Sequence, residues 1–293
     1  MPRIVENIQL APKVHRLRVE VPRLVRKAKA GQFVIVRPDE HGERVPMSIG
    51  GLDIERGLLT MVIQEVGKTS AQICDMPSGS ELADVVGPLG EPTHIKRYGH
   101  AVVVGGGIGI APIYPVALAL RAAGSRTTAI IGARTERLLF YTDELRAGAD
   151  QLIVATDDGS VGVKGFVSTA LEQLIRDDRP NWIMAIGPVP MMRAVANLTR
   201  AHNIETVVSL NPLMIDGTGM CGGCRVSVGG ETKFACVDGP DFDAHKVDFN
   251  ELVQRQSQYK PFEKQAYERY LKHRDECSLE RKMKNLAGVG EGK

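Results

Sequence analysis

The chain has 293 residues, 43% of them hydrophobic and 25% charged, with 37 Lys and Arg against 35 Asp and Glu. That length suits about two domains and that balance an ordinary globular protein, while a net charge of +2 gives no electrostatic reason to expect nucleic acid or an acidic membrane as partner. No basic and apolar leader follows Met1-Pro2, and three of the five cysteines fall within sixteen residues, so a reducing cytoplasm without disulfides is the expected compartment.

The first hundred residues read as β-structure. His15, Leu17, Val19 and Val21 alternate with Arg16, Arg18 and Glu20, a period of two that half-buries a strand. Gln32–Val36, ended by Pro38, and Leu58–Val66, opened by Gly57, are further strands bounded by turn residues. A small closed or nearly closed antiparallel barrel is the economical result. After Gly67-Lys68-Thr69-Ser70 a short helix is expected, capped by Thr69 or Ser70 and holding Cys74 as a small buried hydrophobe.

From His100 the rhythm becomes strand and helix in alternation. Ala101–Val104, Thr127–Ile131, Gln151–Ala155, Trp182–Ile186 and Thr206–Leu210 read as strands, separated by helical segments near Ala111–Ala123, Phe140–Ala147, Val167–Arg176 and Pro190–His202. Such units build a parallel sheet covered on both faces, with ligands at the carboxyl ends of the strands. Ala101 to Leu120 is uncharged and long enough for a membrane span, but it contains Gly105, Gly106, Gly107, Gly109, Pro112 and Pro115. It therefore reads as a buried strand, a loop and a helix start.

Next comes Asp216-Gly-Thr-Gly-Met-Cys221-Gly-Gly-Cys224, with Cys236 beyond a hairpin-like run, Arg225 to Ala235. The spacing is that of a plant-type [2Fe–2S] loop, C-x4-C-x2-C with a distant fourth cysteine, except that Asp216 stands first. Three thiolates and a carboxylate also suit a structural zinc, and Asp in a Gly-rich turn is an ordinary turn former as well. After Phe249 the chain is charged and helical in composition up to Lys284, and ends on Gly-Val-Gly-Glu-Gly-Lys, which reads as flexible. Tyr259, Phe262, Tyr267, Tyr270 and Leu271 suggest one apolar stripe, serving either the chain's own domain or a partner. Cys277, among charged residues, reads as a free surface thiol.

Four strand ends carry further motifs. Gly105-Gly-Gly-Ile-Gly-Ile-Ala-Pro112 follows the first parallel strand, where backbone N–H groups and a helix start can hold a pyrophosphate. Ile110 takes the place of the last glycine of G-x-G-x-x-G, so this is not that fingerprint. Gly132-Ala-Arg-Thr-Glu-Arg137, Asp157-Asp-Gly-Ser160 and Gly187-Pro-Val-Pro-Met-Met192 follow the next three. Together these stretches resemble the ferredoxin-NADP reductase superfamily. The first hundred residues agree with it. Pro46-Met47-Ser48-Ile49 resembles its flavin-binding segment, Val62-Ile63-Gln64 the strand beside the flavin, and Gly67-Lys-Thr-Ser70 the turn at its pyrophosphate. Arg44 lies four residues before Ser48 where the family has three, and Met47 replaces an aromatic ring.

The resemblance implies a division into a 1–98 FAD-binding β-barrel, a 99–210 NAD(P)-binding α/β domain, a 211–248 [2Fe–2S] domain and a 249–293 helical tail. It implies FAD held at Arg44, Pro46, Met47, Ser48, Ile49, Val62, Ile63, Gln64, Gly67, Thr69 and Ser70. NAD(H) would lie at Gly106, Gly107, Gly109, Ala111, Pro112, Gly132, Ala133, Arg134, Asp157, Gly187, Pro188 and Met191. The cluster would sit on Asp216, Cys221, Cys224 and Cys236, and no side chain is assigned to acid–base catalysis. Arg134 and Arg137 leave open a preference for the 2′-phosphate of NADP.

The order barrel, nicotinamide domain, cluster loop is similar to the electron-transfer subunit of dihydroorotate dehydrogenase, which has four cysteines at the cluster. It is closer still to the small subunit of NADH-dependent ferredoxin:NADP oxidoreductase, also called sulfide dehydrogenase, which uses Asp first. The implied function is exchange of hydride with NAD(H) and relay of single electrons to a partner. That partner would be a larger flavoprotein with iron–sulfur clusters, similar to the glutamate synthase small subunit, in an assembly able to bifurcate electrons. Two other functions fit: the reductase component of dihydroorotate dehydrogenase or an oxygenase, and a nucleotide-sensing regulatory subunit holding zinc.

Overall fold

The computed structural model describes residues 1–288, with side chains described as far as Glu276. The expectations for the Cys277 thiol and for residues 289–293 lie outside the described residues.

The N-terminal part forms two antiparallel sheets. One orders β1 (Arg3–Ala11), β2 (Val14–Glu20), β6 (Leu58–Gln64) and β5 (Gly51–Asp53) as β1-β2-β6-β5. The other orders β4 (Val45–Ser48), β3 (Phe33–Arg37) and β7 (Asp84–Leu89) as β4-β3-β7. Between them lies a core that includes Ile4, Leu17, Val19, Val34, Val36 and Met61. Alternation was legible in β2, where Leu17 and Val19 are fully buried. It is absent from β1, which the sequence reading passed over, because two register irregularities interrupt its pairing with β2 and leave Val5 and Ile8 exposed. A four-residue helix, α1 (Pro22–Val25), follows β2.

Strand β3 is buried on both faces. Val34 and Val36 belong to the barrel core, whereas Phe33 and Ile35 belong to a second core shared with the parallel sheet and the cysteine segment. Because successive side chains point to opposite faces, one apolar strand ties three parts of the chain together. Helix α2 (Lys68–Asp75) begins two or three residues earlier than expected. Gly67, not Thr69 or Ser70, is its N-cap, and Ser70 reaches back from the first turn to accept the Gly67 N–H at 3.0 Å. Cys74 is buried as expected, which pushes its thiol up to about 12.

The second part alternates as predicted: β8 (His100–Gly106), α3 (Ile110–Ala122), β9 (Arg126–Ala133), α4 (Thr142–Gly148), β10 (Gln151–Thr156), β11 (Val163–Lys164), α5 (Val167–Asp177), β12 (Trp182–Ile186), α6 (Val189–Ala201) and β13 (Glu205–Ser209). The sheet order is β11-β10-β9-β8-β12-β13-β16, all parallel except β16 (Asp241–Asp243), which returns antiparallel on β13. The two edge strands were not anticipated, being only two and three residues long. Helix α4 starts two residues later than expected, because Tyr141 takes a left-handed conformation at φ 58° and its ring is buried with Phe140. The uncharged stretch from Ala101 is β8 followed by α3, and among the described residues no helix is long and apolar enough to cross a membrane.

In the cysteine segment the predicted hairpin pairs β14 (Arg225–Val228) with β15 (Glu231–Phe234). Gly229 and Gly230, both at positive φ, make the two-residue turn whose twist suits a hairpin. Asp248 caps α7 (Phe249–Ser257) by accepting the N–H groups of Asn250 and Glu251. Helix α8 (Lys260–Gly288) then runs back to the barrel. Tyr267 donates to Glu65 at 2.7 Å, Tyr270 donates to Asp75 at 2.8 Å, and Arg274 pairs with both carboxylates. The supposed stripe is thus divided: Tyr267 and Tyr270 bind the chain's own barrel, while Tyr259 and Phe262 face outward.

Candidate functional site

The crevice of the parallel sheet lies where the chain reverses its winding, between β8 and β12. Close packing there accounts for Gly106, Gly109 and Gly187. A Cβ on Gly109 would stand 2.1 Å from the Ile186 carbonyl oxygen, and one on Gly106 would stand 2.3 Å from the Met191 sulfur. Gly187 meets the Met191 methyl and the Gly106 carbonyl in the same way. Met191 therefore packs across Gly106 and Gly187 at the floor of the crevice. Gly107, at φ 56°, has nothing within 4 Å of where its Cβ would be, so its backbone faces open space before the 13-residue helix α3. This is the arrangement that receives a phosphate at a helix start.

The walls come from the next two strand ends. Asp157 N–H donates to the Ala133 carbonyl and Asp158 N–H to that of Arg134, while Ser160 accepts the Glu136 N–H. These bonds hold the Gly132–Arg134 and Asp157–Ser160 loops side by side. Hydrogen bonds from Ser160 hold the Asp158 carboxyl below the usual carboxylate range. Arg134, Arg137 and Asp157 are exposed, and Pro188 is the exposed N-cap of α6. Ala111 and Pro112 are buried inside the start of α3 and so contribute packing. Ala111 lies against Gly50 and the barrel, where Val62 also packs.

On the barrel, Ser48 and Gln64 are exposed, Pro46 and Met47 half-buried. Ile49 and Ile63 point into the barrel core at 1% exposure each, leaving only their backbone for a ligand. The turn at Gly67 is held by a residue the sequence reading missed. Glu43 accepts the hydroxyl of buried Thr69 and pairs with Lys68 at 3.6 Å. Arg44, beside it, is exposed. Glu43 and Thr69 are 26 residues apart, and no local pattern announces their contact.

The cysteine loop sits on the outer face of the β4-β3-β7 sheet. A Cβ on Gly217 would reach 2.6 Å from the Leu89 side chain and 3.2 Å from that of Ile35. Cys224 and Cys236 are buried with their sulfurs 3.2 Å apart, and Cys221 is exposed, its sulfur accepting the Gly223 N–H at 3.5 Å. Asp216 accepts the N–H of Thr218 and that of Cys221, both at 2.8 Å. The Thr218 bond is the main cause holding its carboxyl below the ordinary range, and the Cys221 side chain adds to it. Burial pushes the Cys236 thiol up to about 12, with the pairing to Cys224 and the Asp216 charge adding to the rise. Among the four candidate donors, the Cys221 N–H meets Asp216 and the Cys224 and Cys236 sulfurs meet each other, while Asp216 acts on Cys236 through its charge. Among the described residues they are not drawn together as a compact metal-binding group. Arg255 of α7, also missed, donates to the Gly223 carbonyl at 3.3 Å. The Gly223 N–H directed at the Cys221 sulfur fits an iron–sulfur cluster, whose sulfurs accept such bonds.

Comparison with known proteins decides between cluster and zinc. Residues 211–248 match the iron–sulfur cluster binding domain of dihydroorotate dehydrogenase B, and residues 103–197 match the oxidoreductase NAD-binding domain. The chain is 45% identical to a dihydroorotate dehydrogenase B (NAD(+)) electron transfer subunit homolog of Thermotoga maritima, across 92% of this chain and 95% of that one. The chain belongs to the family of dihydroorotate dehydrogenase B electron-transfer subunits and their homologues. A probable electron transfer subunit of Methanopyrus kandleri is 34% identical over 85% of this chain and 92% of its own. Among solved structures, one of an NADH-dependent reduced ferredoxin-NADP oxidoreductase, described for flavin-based electron bifurcation, superposes with a TM-score of 0.88 at 44% identity. That match spans 92% of this chain and 98% of the other. Phthalate dioxygenase reductase, at 20% identity and a TM-score of 0.58, covering 78% of this chain and 85% of its own, shares the fold. As a member of this family, the chain is an electron-transfer subunit of an oxidoreductase, with a nicotinamide-binding and an iron–sulfur-binding part.

Proposed function

We propose that this electron-transfer subunit works in an NADH-dependent ferredoxin:NADP oxidoreductase, exchanging electrons with NAD(H) and delivering them to a larger flavoprotein subunit. The observation that carries the reading is the agreement, over 98% of its length, with the chain in the solved structure of such an enzyme. Asp216 in the first ligand position supports the same choice. When bound, a nicotinamide, a flavin and an iron–sulfur cluster supply hydride exchange and one-electron transfer, which the flavin links.

The chain's own residues place these groups. The open backbone at Gly107, with Gly109 and Gly106, would receive the dinucleotide pyrophosphate, and Arg134, Asp157, Gly187, Pro188 and Met191 would frame the rest. Pro46 to Ile49, Val62 to Gln64 and the Gly67–Ser70 turn would hold FAD, with Arg44 next to its phosphates. Asp216, Cys221, Cys224 and Cys236 would hold the cluster. Strand β3 and Leu89 carry apolar contact from the barrel to the cysteine loop, which excludes water between the two. The partner we infer is a flavoprotein similar to the glutamate synthase small subunit. The family match at residues 211–248 favours, as second reading, service to a dihydroorotate-oxidising partner.

Anaerobic purification with the native partner tests both readings. A visible spectrum of flavin and cluster that bleaches with NADH, together with a co-purifying flavoprotein that reduces NADP, supports the first. A dihydroorotate-oxidising partner supports the second. A colourless, zinc-containing preparation sinks both.

A further inference from the structure

Asp241 lies outside the three ligand regions, yet it is where the parts that carry them meet. It opens β16, five residues beyond Cys236. One carboxyl oxygen accepts the Thr93 hydroxyl at 2.6 Å, and Thr93 belongs to the segment that leaves β7 of the barrel. Ser209, its register partner on β13, brings a hydroxyl near the same carboxyl without full hydrogen-bond geometry, at the edge of the parallel sheet. Backbone bonds frame the spot: Glu91 N–H to the Gly239 carbonyl at 2.6 Å, Leu210 N–H to that of Pro240 at 2.8 Å, and Thr93 N–H to that of Ala30 at 3.0 Å.

Asp241 as a residue is half-buried, but its second carboxyl oxygen is out of solvent with no partner of full hydrogen-bond geometry, and no charged side chain from these elements acts on the group. A buried ionisable group in that state works against stability, whereas an apolar side chain of similar volume would pack without the desolvation cost. What the carboxyl does supply is direction. It ties the strand after Cys236 to the segment after Leu89, and the Leu89 side chain in turn touches the cysteine loop at Gly217. The loop is therefore held against the end of β7 at both of its flanks.

We propose that Asp241 is a positioning residue which, through Thr93 and Ser209, fixes the cysteine loop relative to the flavin-binding barrel and so sets electron transfer between the groups bound there. The proposal rests on the reading that FAD occupies the barrel and a cluster the Asp216–Cys236 loop. Asp241 is not among the residues that would hold either group. Its effect is geometric, and it acts on the step between the two regions without affecting hydride exchange at the nicotinamide crevice.

The test uses full-length protein with its cofactors, mixed rapidly with NADH, and compares wild type with Asp241→Ala, Asp241→Asn and Thr93→Val. Flavin bleaching follows the first step and the electron paramagnetic signal of the reduced cluster the second. Expected are unchanged bleaching and cluster reduction slowed about tenfold or more in Asp241→Ala and Thr93→Val, the scale seen when supporting partners of a metal site are removed. Asp241→Asn keeps an acceptor for Thr93 and restores the rate. Amide exchange at Glu91 and Leu210 is measured in parallel and should quicken in the two slow variants. Equal cluster-reduction rates in all four proteins, or bleaching that slows in step, overturns the proposal. If Asp241→Ala does not fold, Thr93→Val removes a single hydroxyl and decides alone. If wild type carries no flavin or cluster, the functional reading fails instead, and unchanged exchange in the variants still overturns the role of Asp241.

Discussion

Replacing Asp241 with Asn should raise stability above about pH 6 and abolish one component of its pH dependence. Burial lifts the carboxyl from an ordinary 3.8 to about 6, with the Thr93 and Ser209 hydroxyls opposing the rise. Between those values the folded chain holds a proton that the unfolded chain has released, so stability falls as pH climbs through the window. Below about 4 both states are protonated and nothing is lost; above about 6 both are ionised and the loss is complete. A difference of about two pH units, at about 1.4 kcal/mol each, makes that loss about 3 kcal/mol. Asn accepts from Thr93 but carries no charge, so it should recover most of this, less about 1 kcal/mol for an altered hydrogen bond. For a chain of 293 residues, at about 2.1 cal/mol/K of unfolding entropy per residue, about 2 kcal/mol corresponds to a rise in Tm of about 3 °C. Thermal unfolding of both proteins from pH 5 to 8, at fixed salt and equal cofactor content, checks this. The reasoning fails if the two curves run parallel across that range.

Gly109→Ala would drive a methyl into the Ile186 carbonyl, so it should cost several kcal/mol of stability, or force the two turns apart and lose NADH binding; calorimetry and NADH titration report which. Asp216→Cys is expected to assemble a cluster of altered potential and Cys224→Ser to lose it, read from iron content and redox titration; an Asp216→Ala protein with wild-type content and potential would show that the carboxylate is not a ligand. Arg134→Glu should weaken NADPH at least tenfold relative to NADH if the exposed guanidinium meets a 2′-phosphate, and initial rates with the two nucleotides settle it. Arg274→Ala removes the pairing with Glu65 and Asp75. Since Arg274 is one-third exposed, about 1 kcal/mol of tail docking should go with it, seen as faster proteolytic release of α8.

What was legible in the sequence was whatever local chemistry alone determines. Gly109 stands where backbone presses on backbone, Gly107 where the chain takes a positive φ, and Gly229-Gly230 where a tight hairpin turn needs two positive φ values. The five central strands of the parallel sheet are apolar runs between turn signals, and they appear where expected. Features set by long-range pairing left no mark. Strand β16 is three residues that become a strand only by lying along β13, and Asp241 meets Thr93 across 148 residues. The motif at Pro46–Ile49 falls on β4 and its end, where the pleat turns Ile49 inward, and a motif does not say which of its side chains is spent on the core. Whether Tyr267 and Tyr270 served the chain's own domain or a partner was not legible, because their acceptors, Glu65 and Asp75, lie some two hundred residues earlier.

The two readings of Asp216, turn former and metal ligand, do not compete in the folded chain. Its carboxylate takes one N–H on each oxygen, from Thr218 and Cys221, and an ionised carboxylate offers about four acceptor positions. The turn bonds therefore shape the loop and leave lone pairs free, and by favouring the charged form they keep the group in the state that binds a cation. A cysteine in its place would bring a softer ligand but only weak acceptance for those two N–H groups. Asp216 thus shapes the loop that presents Cys221 and, as the proposed fourth ligand, would add a donor from the same side chain; its charge already acts on the Cys236 thiol. That double duty gives a physical reason for carboxylate to stand where the cysteine spacing calls for a thiolate.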